Sequence, residues 1–155
     1  MIDYEGSRYL CQALKVNSSL ISLNLKLNRL DDKAGSKMCI DLHSKQSKLK
    51  KLNLAANLLS NMFCESLSKY ITDNKNIESI DISCNKIEES DAGTLKQGLK
   101  ENKQIIYFDV TKNLFTPETE EEINEMVTKN YLASKKISYH KLGDHIEKVV
   151  GAEED

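Results

Sequence analysis

The feature that most restricts this chain is a pattern that recurs four times in register. LISLNLKLNRL begins at Leu20, LKKLNLAANLL at Leu49, IESIDISCNKI at Ile77 and IIYFDVTKNLF at Ile105, in steps of 29, 28 and 28 residues. Each copy is apolar at its first, fourth, sixth and eleventh positions. Each carries asparagine at its ninth: Asn28, Asn57, Asn85 and Asn113. A unit this short cannot bury an apolar face alone, so the units must stack and share one core.

The spacing L-x-x-L-x-L-x-x-N-x-L is the leucine-rich-repeat pattern. In a short parallel strand the fourth and sixth residues point inward, while the third, fifth and seventh face the other way. The chain must then turn sharply. An asparagine at the corner can satisfy the backbone groups the turn leaves unpaired, and four of them predict a structural ladder. Between strands the spacing becomes helical. Leu10 and Leu14, Leu67 and Ile71, and Leu95 and Leu99 stand ten and six residues before their strands. A polar amide recurs three residues before each strand, at Asn17, Gln46, Asn74 and Asn102, which suits a helix exit. In the longer step Cys39 and His43 take the helical places although Met38 and Leu42 suit them better, so one extra residue is expected late in that helix or at its exit. Repeats of this length with a full outer helix predict an α/β leucine-rich-repeat solenoid of the ribonuclease-inhibitor-like class. It has about four strand–helix repeats, with parallel strands on the concave face.

Residues 1–130 form the repeat domain in this reading, with 1–19 supplying the helix of an incomplete first repeat. After the last strand, Thr116 suits a helix cap, Pro117 its first position, and Glu118, Glu120, Glu121 and Glu122 the positive dipole end. Ile123 and Val127 take the inward places and Asn130 the exit. Residues 131–155 read as a C-terminal cap or tail, where Leu142, Ile146 and Val149 could form a short amphipathic face. At the other end no polar capping module precedes residues 4–17. Leu20, Leu23 and Leu25 are therefore expected at an exposed solenoid edge that another chain covers.

Composition removes several functions. A chain of 155 residues with 39% apolar and 30% charged residues is one polar globular domain. Its net charge of −2 argues against a nucleic-acid binder. No run of about 18 apolar residues exists, so no membrane partner is expected, and MIDYEGSRYL lacks the regions of a signal peptide. Cys11, Cys39, Cys64 and Cys84 form no C-x-x-C pair and lie in apolar-periodic segments, which suits buried thiols in a reducing compartment. Neither these nor His43, His140 and His145 cluster as metal ligands, and no phosphate loop is present. No cofactor, metal or catalytic residue is expected. Cys84 has acidic rather than basic neighbours, unlike an activated thiol.

Strand alternation instead supplies a candidate protein-binding surface on the concave face. From the four strands it takes Ser22, Asn24 and Lys26; Lys51, Asn53 and Ala55; Ser79, Asp81 and Ser83; and Tyr107, Asp109 and Thr111. This lining runs from basic to acidic along the array. It suits a protein segment of complementary charge order.

Three stretches go beyond the generic pattern. They are the strand LNLKLNRL with leucine before the asparagine, IDISCN, and GLKENK followed by a strand containing FD. Together they resemble the C-terminal repeats of the dynein regulatory complex subunit 5 family, the T-complex-associated testis-expressed proteins, over roughly residues 5–130. Those proteins are longer and have an N-terminal region this chain lacks, so it reads as a short paralogue or a fragment. The resemblance implies a non-enzymatic scaffold of the axonemal nexin–dynein regulatory complex in cilia and flagella. Its partners would be other complex subunits and doublet-microtubule proteins, and its place the cytoplasm and cytoskeleton. It carries over no catalytic residues. An alternative is a small-GTPase regulator of the Ran-activator type. That activity needs a loop arginine, and only Arg29, just after a corner asparagine, is placed for it. A third is an actin-end-binding repeat domain of the tropomodulin kind, for which no particular residue speaks.

Overall fold

The computed structural model describes residues 1–43 and 47–135. Helices and strands alternate: α1 (Tyr4–Val16), β1 (Ser22–Asn24), α2 (Asp32–Leu42), β2 (Lys51–Asn53), α3 (Asn61–Asp73), β3 (Ser79–Asp81), a 3₁₀ turn (Glu89–Asp91), α4 (Ala92–Glu101), β4 (Tyr107–Asp109) and α5 (Pro117–Ser134). The strands form one parallel sheet in sequence order. Leu23, Leu52, Ile80 and Phe108 are in register across it. The α/β leucine-rich-repeat solenoid expected from the repeat is what the chain forms.

Burial explains the order. Leu52, Leu54, Ile80, Ile82, Phe108 and Val110 project from the strands into the core. There they share one cluster with Leu67, Ile71, Leu95, Leu99, Ile123 and Val127 from the helices. Each such side chain contributes about 1.5–3 kcal/mol of burial, so the shared core outweighs the weak pairing of three-residue strands. In α2 Met38 and Leu42 are buried, as are Ala34, Gly35, Cys39 and Asp41, while His43 is an exposed C-cap. β1 and β2 are offset by 29 residues and later strands by 28. The extra residue therefore falls at the exit of α2, between Leu42 and Leu49; Gln46 lies outside the described residues.

The corner after each strand depends on a residue that the repeat pattern leaves unspecified. Leu27, Ala56, Cys84 and Lys112 all have positive φ, at 60°, 52°, 55° and 58°. Each immediately precedes a corner asparagine. The left-handed conformation costs a non-glycine residue about 1–2 kcal/mol, so the surroundings must hold it there. The asparagines do so. Asn57 donates from Nδ2 to the carbonyls of Leu54 and Ala55 on its own corner, at 2.9 and 3.2 Å, and to Leu25 of the preceding repeat at 3.0 Å. Its Oδ1 accepts from the Leu30 amide at 3.0 Å. Asn85 repeats the arrangement, with Oδ1 accepting from the amides of both Leu59 and Asn57. A second amide row runs along the helix exits. Asn102 Nδ2 donates back to Ile71 and Asn74, and Asn130 Nδ2 to Asn102 and Ile105.

The first corner is completed from the N-terminus. The Ile2 amide donates to Asn28 Oδ1 at 2.6 Å, and the Arg29 amide to the Ile2 carbonyl at 2.9 Å. Ile2 thus takes the place that Leu30, Leu59 and Ile87 take in later repeats, and it packs on the core. This corrects part of the expected edge. Leu25 is only 5% exposed and shares the core cluster with Cys11 and Leu14 of α1; Leu20 and Leu23 are half-buried.

At the other end Thr116 caps α5, its hydroxyl accepting from the Thr119 amide, and Pro117 opens the helix. The helix continues to Ser134, past the boundary expected at residue 130, because Tyr131, Leu132, Ala133 and Ser134 contain no breaker. The proposed Leu142, Ile146 and Val149 face, with His140 and His145, lies outside the described residues. Glu89 reaches across from the preceding repeat, accepting from the Thr119 hydroxyl at 2.5 Å and the Thr116 amide at 2.8 Å. These bonds, led by Thr119, hold its carboxyl below its ordinary value of 4.5. A depressed carboxyl stabilises the fold fully above its unfolded value and loses that effect as pH falls through the folded one. Acid unfolding followed at α5 should therefore begin below about pH 4.5, and Glu89→Gln should flatten that part of the profile.

Three thiols are buried as their periodicity indicates: Cys11, Cys39 and Cys64. Cys84 is a correction. It is exposed, since the left-handed corner turns its side chain outward. Burial pushes the other three thiols up, Cys64 to about 12. An aromatic disulfide reagent should label Cys84 alone in the native state, with the remaining three reacting only on unfolding; Cys84→Ser should remove the fast phase.

Candidate protein-binding face

The concave face is built from the residues that alternate away from the core. Three rows cross the sheet. Ser22, Lys51, Ser79 and Tyr107 form the first, and Asn24, Asn53, Asp81 and Asp109 the second. Lys26, Ala55, Ser83 and Thr111 follow by spacing as the third. Not all of them reach solvent. Ala55 is fully buried and Ser83 is 8% exposed, which withdraws Ser83 from the expected contact set. Its hydroxyl instead donates to Asp81 Oδ1 at 2.7 Å.

The middle row serves the corner as well as the surface. Oδ1 of Asn24, Asn53, Asp81 and Asp109 each accepts from the backbone amide two residues on, at 2.9–3.0 Å. Such a local bond fixes the side-chain direction and starts the turn. The other side-chain atoms remain available or join a chain. Asn53 Nδ2 donates to Asp81 Oδ2 at 2.9 Å, and the Tyr107 hydroxyl to Asp109 Oδ2 at 3.3 Å. Burial, then Asp109 and Asp81, raise the Tyr107 phenol, so it stays a proton donor.

The electrostatics of the face are polar in one direction. Lys26 and Lys51 are exposed at its β1–β2 end. Asp81 and Asp109 are half-buried at its β3–β4 end. None of the four is ion-paired among the described residues. Lys50 with Glu78 at 2.6 Å and Lys96 with Glu122 at 2.7 Å join neighbouring repeats elsewhere, and Arg8 with Glu5, Lys37 with Asp41 and Lys129 with Glu125 pair within single helices.

Elsewhere the described residues contain no group of three or more His, Cys, Asp or Glu side chains placed to hold a metal, and no helix long and apolar enough to cross a membrane. Arg29 is exposed beyond the first corner. His43 Nε2 lies 3.6 Å from Asp73 Oδ2, both side chains partly exposed. The N-terminal flank keeps an apolar surface: Tyr9, Val16 and Leu27 are each at least 70% exposed. Sequence reasoning missed Leu27 here; its hydrophobicity in a polar corner was the available signal.

No family model matches the chain. It is similar to NACHT, LRR and PYD domains-containing protein 5 of Homo sapiens, at 29% identity over 105 residues. That match takes in 68% of this chain and 9% of that protein. It is also similar to NACHT, LRR and PYD domains-containing protein 14 of Mus musculus, at 30% over 138 residues, 88% of this chain and 14% of that protein. Ribonuclease inhibitor of Sus scrofa is 29% identical over 100 residues, 64% of this chain and 22% of the inhibitor. The chain thus spans between 9% and 22% of the length of these relatives. Among solved structures, leiomodin-1 actin-binding site 2 superposes with a TM-score of 0.72 at 16% identity, covering 95% of this chain and 83% of that one. The tropomodulin C-terminal domain of Caenorhabditis elegans gives 0.57 at 12% identity, covering 88% and 98%. Identities this low speak to fold alone. Sequence relatives and backbone agree on one statement: the chain is a leucine-rich-repeat solenoid of the ribonuclease-inhibitor-like class.

Proposed function

We propose that the chain is a non-enzymatic binding module that receives an extended segment of a partner protein across its strand face. The observation that carries this reading is the charge split of that face, with Lys26 and Lys51 at one end and Asp81 and Asp109 at the other, none of them ion-paired among the described residues. A partner segment would place acidic residues over β1–β2 and basic residues over β3–β4. Complementary order of this kind favours the right partner and penalises a wrong one by like-charge repulsion. The test uses two peptides of identical composition. One has its acidic and basic residues in separate halves, and the other has them alternating. The segregated peptide should bind more tightly, with affinity falling steeply as salt rises. Equal affinity, or shifts of backbone signals confined to the helices, would overturn the reading.

The narrower reading is a scaffold subunit of the axonemal nexin–dynein regulatory complex, located in the cilium or flagellum. Its support is the resemblance of Leu23–Leu30, the IDISCN strand and the GLKENK segment to that family; the relatives found by comparison are of other kinds. In it, the apolar N-terminal flank of Tyr9, Val16 and Leu27 packs against a neighbouring chain of the assembly. Affinity isolation from ciliated cells should recover dynein-regulatory subunits. Recovery of actin instead would move the assignment towards the leiomodin-like structures, whose description names actin binding.

A further inference from the structure

The strand face does not end at β4. A groove of about 390 Å³ continues from it between β4 and α5, and its walls include Tyr107, Asp109, Thr111, Glu120, Asn124 and Tyr131. Two carboxylates and two tyrosines thus line one open depression, and among the described residues no lysine, arginine or histidine lines it. Both rings are accessible, Tyr107 at 50% and Tyr131 at 43%. The Tyr107 hydroxyl bonds Asp109 Oδ2, which holds that carboxylate at the mouth of the groove. Lys135, one turn further along at the C-cap of α5, places its Nζ 5.8 Å from the Tyr131 ring centroid.

The backbone offers a second attraction. Earlier in the sheet the Ile82 amide donates to Asp109, and Glu78 accepts from Ile106. One repeat later the corresponding groups are the Val110 amide and the Ile106 carbonyl. Both residues line the groove, and neither group has a backbone partner among the described residues.

We infer that this groove is the anchor for a basic side chain, an arginine or lysine carried by the partner segment that crosses the strand face. The cation lies between the Tyr107 and Tyr131 rings, neutralises Asp109 and Glu120, and displaces Lys135 from the outer ring. The adjoining backbone of the segment pairs with the Ile106 carbonyl and the Val110 amide. Arginine suits the site better than lysine, because its planar guanidinium can stack on a tyrosine while bonding a carboxylate. The inference rests on the strand-face reading and deepens it by naming what the acidic end holds.

The experiment titrates the full ¹⁵N-labelled chain with the charge-segregated peptide in two forms. One carries arginine at its basic end, and the other carries citrulline, which keeps the shape and removes the charge. The arginine form should bind about tenfold more tightly, as expected for one stacked and paired cation, with shifts at Asn124, Thr128 and Tyr131. Asp109→Asn combined with Glu120→Gln should reduce its affinity to that of the citrulline form. Glu120→Gln alone, on the surface of α5, should lower it part of the way should the double variant misfold. Equal affinity of the two forms, with shifts only over β1–β3, would overturn the anchor and leave the strand-face reading standing. No binding of either form would overturn both. Shifts of residues 136–155 on mutation of Asp109 without peptide would show the chain's own terminus in the groove, and would also overturn the inference.

Discussion

Replacing Asn85 by alanine lowers the stability of the chain by roughly 2–5 kcal/mol, read as a fall in the urea midpoint at unchanged slope. The reason lies in what Asn85 alone satisfies. Its Oδ1 accepts from the amides of Asn57 and Leu59, at 3.2 and 3.1 Å, in a buried setting. Without it two buried donors lose their partner, at about 1–3 kcal/mol each. The carbonyls it serves are less exposed to the change, since Leu54 is also reached by Asn57 and Ile82 by Asn113. The Cys84 corner would also lose the bonds to Ile82 and Ser83 that hold its left-handed residue. Asn28→Ala should cost less, about 1–2 kcal/mol, because its Oδ1 serves the Ile2 amide in a half-buried place. Equal losses at the two positions would mean that the ladder does not act across repeats.

Phe63→Ala should cost about 3–5 kcal/mol, the range for emptying a fully buried aromatic site. Its ring packs against the backbone of α2 at Gly35, where an added methyl would lie 2.7 Å from ring carbon Cδ2 and 2.7 Å from Leu59 Cδ2. Gly35→Ala in the native chain therefore overpacks the α2–α3 contact and destabilises it. In the Phe63→Ala background the same methyl enters the vacated space, Leu59 can turn aside, and the helix gains the better propensity of alanine. The sign of Gly35→Ala should reverse, with a coupling of about 1–3 kcal/mol in the double-mutant cycle. Additive effects would show that ring and glycine are not in contact. Gly98 marks the equivalent approach of α4 to α3, where a methyl would lie 2.9 Å from the Ser68 carbonyl.

Much of this architecture was legible because each repeat checks the others. The strand positions, the inward helical residues and the displaced register of Met38 and Leu42 all follow from aligning the copies. What could not be read came from demands that different side chains can meet. Leu27, Ala56, Cys84 and Lys112 share one backbone conformation and no chemistry, so a left-handed corner leaves no residue signature. Strand alternation puts Ser83 and Ala55 on the open face, yet both are buried at the start of the corner, and burial there depends on packing that one strand's pattern does not carry. Leu25 is buried at the first strand because it belongs to the same core cluster as Cys11 and Leu14 of α1, on which Ile2 packs. The groove between β4 and α5 joins residues of a strand to residues of a later helix, and no local pattern announces that meeting.

The two amide rows have a further consequence. Asn57, Asn85 and Asn113 each bond the repeat before them, and Asn102 and Asn130 do the same at the helix exits. No repeat is therefore satisfied alone, and much of the free energy of the array resides in the junctions between neighbours. Such a chain behaves like a one-dimensional lattice with strong coupling between neighbours. An interior junction cannot open without separating two domains of order, whereas a terminal one can. Amide exchange should be slowest around β2 and β3 and grade outward, so that the array melts from its ends like a zipper.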